Sequence, residues 1–392
     1  MLKTLRCECE IDFHLQPLGP VLIKKDIPPH NDERLRLYPQ DKCFWKEFFN
    51  VAHIPDDKQA WRSIPDMMFV RTKRNGRYEP YIPGSSLKGV MRSYAERIAR
   101  TLRWDDDDEA IRGCCDPFER PQDNQPPTDH NTSCSEKLVY RRDKLSTMIT
   151  GTLVYREVCP ICKLFGCQFL QSRLLFSDGY SDYSGRPTYE ATHRNVKLPC
   201  RDGIGIDRFT GGVKSKANFS YEVEEEAVFN FTLVLRNFEL WQLGLLAFLF
   251  QDFQDGLIPV GSGKSRGLGR MRGIVNTIKI TYFGRHNLPA QGRVFGVGQL
   301  HRGANPNEDY GFVHPDEEAI QPCPQLVSED PFGLRHSYTF TANDVPRLLA
   351  AVAPRWITFL DKYKVPETMR IPSLQHAAQQ AEVTKQGGEE NG

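Results

Sequence analysis

This 392-residue sequence has no hydrophobic run long enough to cross a bilayer. Its most apolar stretch, LWQLGLLAFLF at residues 240–250, is flanked by Glu239 and Asp252 and falls well short of the roughly 20 apolar residues a span needs. It predicts a buried helix, and no membrane partner is expected. The first residues, MLKTLRCECEIDF, alternate polar and apolar side chains where an export signal would carry an unbroken apolar core, so a cytoplasmic, reducing location is expected. Net charge is nearly absent: 51 Lys and Arg stand against 50 Asp and Glu, a balance of +1. This excludes no charged partner, because GSSLKGVMRSYAERIARTLRW at 84–104 holds five basic residues and one acid, which DDDDE at 105–109 offsets in the total. The acidic run is expected to be a solvated loop. Cysteine does not form a pairable set either: eleven residues, odd in number and unevenly spread, are thiols or metal ligands in a reducing compartment. No Ser-His-Asp or Cys-His arrangement can be drawn.

A nucleotide loop is missing as well. GLIPVGSGKSRGLGRM at 256–271 looks like one, but a Walker loop needs glycine five positions before its Gly-Lys pair, and five before Gly263 stands Ile258. A dinucleotide fingerprint begun at Gly261 and Gly263 would need a third glycine where Arg266 stands. What remains is a flexible turn in which Lys264, Arg266, Arg270 and Arg272 meet no acid. That composition suits an extended phosphate backbone, and it also suits a tight turn before a final strand.

The elements that are present alternate between two periods. Leu5, Cys7, Cys9, Ile11, Phe13 and Leu15 recur every second residue, a strand with one buried face. Residues 16–65 are expected to be a long loop or insertion, MMFVR a short strand, and RNGRYEPYIPG a turn-rich approach to a helix. Leu87, Val90, Met91, Tyr94, Ile98 and Leu102 fall at helical spacing, with Ser85 or Ser86 available as N-cap. Residues 104–158 are polar and proline-rich, an insertion and not core. Phe229, Phe231, Leu233 and Leu235 mark a second strong strand, followed by a helix at 238–253 and a closing strand at 273–283. Strand, helix, strand, strand, helix, strand is the pattern of an α+β, ferredoxin-like (RRM-like) antiparallel sheet with both helices on one face. A further helix is expected at 343–363, and the last twenty or so residues lack core-forming aromatics and are expected to be disordered.

Two segments carry chemistry. The start of the 84–102 helix offers backbone amides, the hydroxyls of Ser85 and Ser86, and Lys88, with Arg92 one turn on; it is either an anion site or an ordinary capped helix with a surface lysine. VCPICKLFGC presents Cys159 and Cys162 as a CxxC, half of a tetrahedral zinc site. Cys114, Cys115, His130, Cys134 and Cys167 are candidates for the other half. Cys134 with either Cys115 or His130 is the favoured completion, and the zinc is expected to be structural.

The ordered segments PYIPGSSLKGVMRSYAE, CKLFG, GIGIDRFTGGV and GLIPVGSGKSRGLGRM resemble the RAMP superfamily, and most of all the backbone subunits of type III CRISPR effector complexes. The resemblance covers roughly residues 1–283. It implies a palm over 1–283 with insertions at 16–65 (the catalytic loop), 104–168 (zinc-binding) and 184–225 (a β-hairpin thumb), then an extension at 284–373 and a tail at 374–392. It also implies that the partners are guide RNA (crRNA), complementary target RNA and other effector subunits, with further copies of the chain able to stack into a filament. The phosphates at the glycine turn would then belong to RNA, with Gly261, Gly263, Gly267 and Gly269 allowing close backbone approach beside Lys264 and Arg266. In the thumb, Arg208, Lys214 and Lys216 would meet phosphates and Phe209 a splayed base, while Asp207 would pair with a neighbouring arginine. His193, ahead of the thumb, stays outside the catalytic set. Members that cut target RNA place an aspartate five residues before the basic residue leading to the helix, which points to Asp66 before Arg71. Asp66 would act with a divalent cation, magnesium or manganese. The loop here is longer and has no GxxDS motif, so Asp26 and Asp32 are rivals. A non-catalytic scaffold and a guide-processing ribonuclease are the alternative functions.

Overall fold

The computed structural model describes residues 4–25, 65–74, 76–102, 113–121, 126–127, 131–184, 198–284, 293–300, 320, 328–329 and 332–389. Asp26, Asp32, the 105–109 run, His130 and His193 lie outside them, as does the side chain of Lys216. In chain order the first elements are β1 (Cys7–Pro17), β2 (Lys24–Lys25), β3 (Met68–Phe69), β4 (Arg71–Arg74), β5 (Arg77–Ile82) and α1 (Gly84–Thr101). Then come α2 (Cys134–Lys144), α3 (Gly151–Glu157), α4 (Pro160–Phe165), β6 (Leu174–Phe176), β7 (Gly179–Asp182), β8 (Cys200–Ile206), β9 (Val213–Glu222), β10 (Val228–Arg236) and α5 (Leu240–Gln254). The chain continues through β11 (Met271–Phe283), α6 (Val297–Leu300), β12 (Ser328–Glu329), β13 (Arg335–Phe340), α7 (Val345–Lys362) and α8 (Ile371–Glu389).

The architecture is mixed α+β around an antiparallel sheet. The alternation read in the first residues is real: Cys7, Cys9, Ile11, Phe13 and Leu15 are fully buried, and the residues between them face outward. Because it is apolar on one side over its whole length, β1 takes the middle of the sheet. There it pairs antiparallel with β10 (Phe13 opposite Phe231) and with β11 (Ile11 opposite Ile278). The sheet order is β12-β13-β11-β1-β10-β7-β5-β4, with β6 also on β10. The helix α5 covers the buried side, where the Phe250 and Phe253 rings lie 5.3 and 5.4 Å from the ring of Phe13. Unlike an amphipathic surface helix, α5 is buried on nearly all sides, since α7 closes over it through Trp241, Trp356 and Phe359.

Three expectations are corrected. The segment from Cys134 onward is core, not polar insertion: Leu138, Val154, Tyr155 and Val158 join the same buried cluster as β1. The proline-rich composition that suggested otherwise lies mostly before Cys134. At the other end, residues 374–389, expected to be disordered, are helical as part of α8. Alanine, glutamine, leucine and glutamate all favour helix, and a lack of aromatics limits burial without limiting helicity. Third, neither Ser85 nor Ser86 caps α1; the cap is Pro83, with no side-chain hydrogen bond, and the Gly84 amide donates to Asp178 Oδ1 at 2.8 Å.

The hairpin formed by β8 and β9 is tied to the sheet by a buried ion pair. Arg71 Nη1 and Nη2 donate to Glu222 Oε2 and Oε1 at 2.6 and 2.8 Å, and the Phe69 amide also donates to Oε2 at 2.9 Å. Removing one partner of such a buried pair strands the other charge, a cost of about 3–5 kcal/mol. The hairpin base is therefore fixed relative to β3 and β4.

Candidate functional site

The CPIC sequence folds locally into a thiol nest. Pro160 starts α4 with the φ a helix needs, which leaves Cys159 as N-cap with its Sγ accepting from the Cys162 amide at 3.5 Å. Ser133 caps α2 through the Glu136 amide and brings Cys134, the first helical residue, to the same place. Cys115 completes the group. The four sulfurs of Cys115, Cys134, Cys159 and Cys162 lie within 4.8 Å of one another, and all four residues are buried. Cys115 Sγ is 3.6 Å from Cys162 Sγ and 3.8 Å from Cys159 Sγ, too far for a disulfide at about 2.05 Å. Those separations match the roughly 3.8 Å edge of a tetrahedron with zinc–sulfur bonds of about 2.3 Å. Hydrogen bonds from Cys115, Cys134 and Cys162 pull the Cys159 thiol well below its ordinary value, and the Cys159 amide donates to Cys134 Sγ at 3.3 Å. A buried group of four such thiols can hold a metal such as zinc. Cys114 turns away and donates to the Glu96 carbonyl, and Cys167 stands outside the group.

Sequence spacing gave no sign of what lies behind this nest. Lys163 is buried between the rings of Tyr155 and Tyr363, 5.3 and 5.6 Å from their centroids, and burial lowers its ammonium to about 8. Tyr363 ends α7, which thus shares the buried cluster with the four cysteines. Thr368 Oγ1 also reaches Glu157, which in turn pairs with Arg141 of α2.

At the start of α1, Ser85 is exposed and Ser86 and Lys88 are half-buried. Burial and the Arg92 charge hold the Lys88 ammonium below its ordinary value. Arg92, read from sequence as a phosphate contact, instead directs its guanidinium to Glu96, the Gly166 carbonyl and Cys162 Sγ. At the hairpin tip, Phe209 is fully exposed beside exposed Arg208 and Lys214. Among the described residues Asp207 has no arginine partner there: its Oδ1 accepts from the amides of Phe209 and Thr210 at 2.9 and 3.0 Å and fixes the turn. Asp66 is exposed at the hairpin base, its Oδ2 accepting from the Ser220 amide at 2.8 Å and from Ser220 Oγ at 3.4 Å. Nothing in the sequence links these two residues, which are 154 positions apart.

The glycine turn packs against the chain itself. Gly261 (φ 91°) and Gly269 (φ 88°) leave no room for a Cβ, which would strike the carbonyl oxygens of Leu22 and Val260. The Ser262 amide donates to the Leu22 carbonyl and the Gly269 amide to that of Pro20. These two glycines therefore let the turn lie closely against other backbone of the same chain. Gly267 (φ 82°) has open space around it. Gly269→Ala is accordingly expected to cost more than Gly267→Ala, which bears only the left-handed strain of about 1–2 kcal/mol; urea unfolding of the two variants measures the difference. Two basic side chains extend from the turn. The Arg266 guanidinium lies 5.1 Å over the ring of Phe219 in β9, and Lys264 stands near Arg97 of α1, partial burial and the Arg97 charge lowering its ammonium. Arg97 lies about 18 Å along α1 from Ser85, so the turn meets the helix well past its start.

A family model of the RAMP superfamily matches residues 63–272, the span that holds α1, the four cysteines, the hairpin and the glycine turn. The chain belongs to the RAMP superfamily, a family of CRISPR-associated RNA-binding subunits that includes some ribonucleases. No curated protein matches the chain. Among the described residues, no helix is long and apolar enough to cross a membrane.

Proposed function

We propose that this chain is the guide-RNA-binding backbone subunit of a type III CRISPR effector complex, and that Asp66 takes part in cleavage of the bound target RNA. The sheet order, with the last palm strand β11 and β10 flanking β1, supports a ferredoxin-like palm, and the β8–β9 hairpin would be its thumb. The observation that carries the proposal is the meeting of hairpin and glycine turn at Arg266 and Phe219, with Lys264 beside Arg97. Cations spread from α1 through the turn to the hairpin suit a polymer of phosphates, not a single nucleotide. Ser85, Ser86, Lys88, Lys264, Arg266, Arg208, Lys214 and Lys216 would hold the guide through its backbone while base pairing reads the target. Phe209 would wedge between bases, splaying the target strand near the hairpin. A structural zinc would sit on Cys115, Cys134, Cys159 and Cys162. Magnesium or manganese bound with RNA at Asp66 would stabilise charge on the reacting phosphate.

Purification of the chain with its native partners, followed by sequencing of the RNA that comes with it, tests this function. Short RNAs sharing one repeat-derived end are expected; RNA of random sequence, or none, overturns it. The non-catalytic scaffold is favoured by one observation, that the Ser220 backbone already engages the Asp66 carboxylate.

A further inference from the structure

We propose that Arg92 is a positioning residue for the metal knuckle: from α1 it holds the Cys162 sulfur and the turn after α4 in place and offsets the charge of the ligands, and it makes no phosphate contact of its own. The proposal rests on the zinc reading of the four cysteines. The guanidinium spends three directions on three different pieces of structure: Nε donates to Glu96 Oε1 at 3.0 Å, Nη1 to the Gly166 carbonyl at 3.0 Å, and Nη2 to Cys162 Sγ at 3.5 Å. One acceptor is on α1, one in the turn after α4, and one is a sulfur of the nest. The turn runs close against the following segment: Gly166 sits at φ 85°, and a Cβ there would meet the Ser172 amide nitrogen at 2.7 Å.

Charge explains why such a residue is needed. Four thiolates around one divalent zinc leave an excess of about two negative charges in a buried place, and donors outside the ligand set offset that cost. Backbone amides of Cys159 and Cys162 supply part of the compensation, and Arg92 brings a full charge to a ligand sulfur. Lys88 stands one turn before Arg92 on the same rigid helix, and Ser85 about 10 Å away along the axis. Arg92 thus turns to the cysteine nest, while Lys88 and Ser85 keep the RNA-facing place proposed for them.

The full-length chain, Arg92→Gln, Arg92→Lys and Lys88→Gln would each be loaded with zinc. Two quantities would be measured: zinc affinity by competition with EDTA, and the salt dependence of binding to a uridine-rich single-stranded RNA. Arg92→Gln is expected to lose zinc affinity by about 10- to 100-fold. Arg92→Lys should recover only part of it, because one ammonium cannot reach three separated acceptors, and it serves where the glutamine variant does not fold. With zinc bound, Arg92→Gln should keep the wild-type salt slope, whereas Lys88→Gln should keep zinc and lose about 0.7 of the slope, the share of one phosphate contact on a single strand. In cobalt-loaded protein the thiolate-to-metal band should shift in Arg92→Gln, a change that loss of stability alone does not cause. Wild-type zinc affinity in Arg92→Gln, or a slope lowered by about 0.7 with metal bound, overturns the proposal. A wild-type chain that takes up no zinc overturns the metal reading and this inference together. One that takes up zinc but no RNA removes the proposed function, and the affinity and cobalt measurements still decide Arg92.

Discussion

Serine in place of Cys159 or Cys162 is expected to empty the metal site and lower the thermal midpoint by on the order of 10 °C. The four thiols join three pieces of chain that local structure does not hold together: the segment around Cys115, the start of α2 and the start of α4. In isolated zinc peptides the metal supplies about 10–16 kcal/mol, because the unfolded chain has no preformed site. The loss here should be smaller, since Leu138, Ile161 and Leu164 remain packed in the core and Glu157 still joins Arg141 to Thr368. Several kcal/mol, at about 2–4 °C for each in a domain of moderate size, gives the expected shift. Elemental analysis should find one zinc per wild-type chain and a small fraction of that in the variants, and calorimetry gives the midpoint. Cys200→Ser, at an exposed hairpin position, should change neither. A wild-type protein whose midpoint ignores EDTA would show that these thiols are only core residues.

Asp66→Asn should slow cutting of target RNA by about 10²- to 10⁴-fold in the assembled complex while guide binding is retained. Asparagine keeps an oxygen for the Ser220 amide, so the loop stays attached to β9 and only the charge is lost. That attachment matters because the buried Arg71–Glu222 pair fixes β3 and β4 to the same strand two residues further on. The carboxylate therefore has a defined place relative to the hairpin, where the strand would be splayed, and correct placement accounts for much of the rate when no side chain acts as nucleophile. Single-turnover cleavage of a complementary RNA is the measurement. Unchanged cutting would leave the scaffold function standing.

Local chemistry made several features legible before any coordinates. Period two in the first strand and in β10, and period 3.6 in α1, mark faces that must be buried whatever they pack against. The CxxC marks two candidate ligands because a helix start with proline at its first position turns both sulfurs the same way. The contacts of Arg92 are not legible for the same local reason: its place one turn past Lys88 suggests a shared anion, and nothing nearby reveals a sulfur and a carbonyl waiting some seventy residues on. The glycines of 256–271 likewise suggest approach to a ligand, and only the fold shows Gly261 against Leu22 and Gly269 against Val260.

Sequence by itself therefore determined which faces are apolar and that two cysteines stand at metal-ligand spacing, since each depends on residues within a turn or two of one another. Tertiary structure alone decided which cysteines complete the nest, that Ser220 holds Asp66 and that Arg92 turns to Gly166 and Cys162. Those pairings are made between distant segments when the sheet closes around β1, and the same donor would bond to any acceptor that the closing brought within reach.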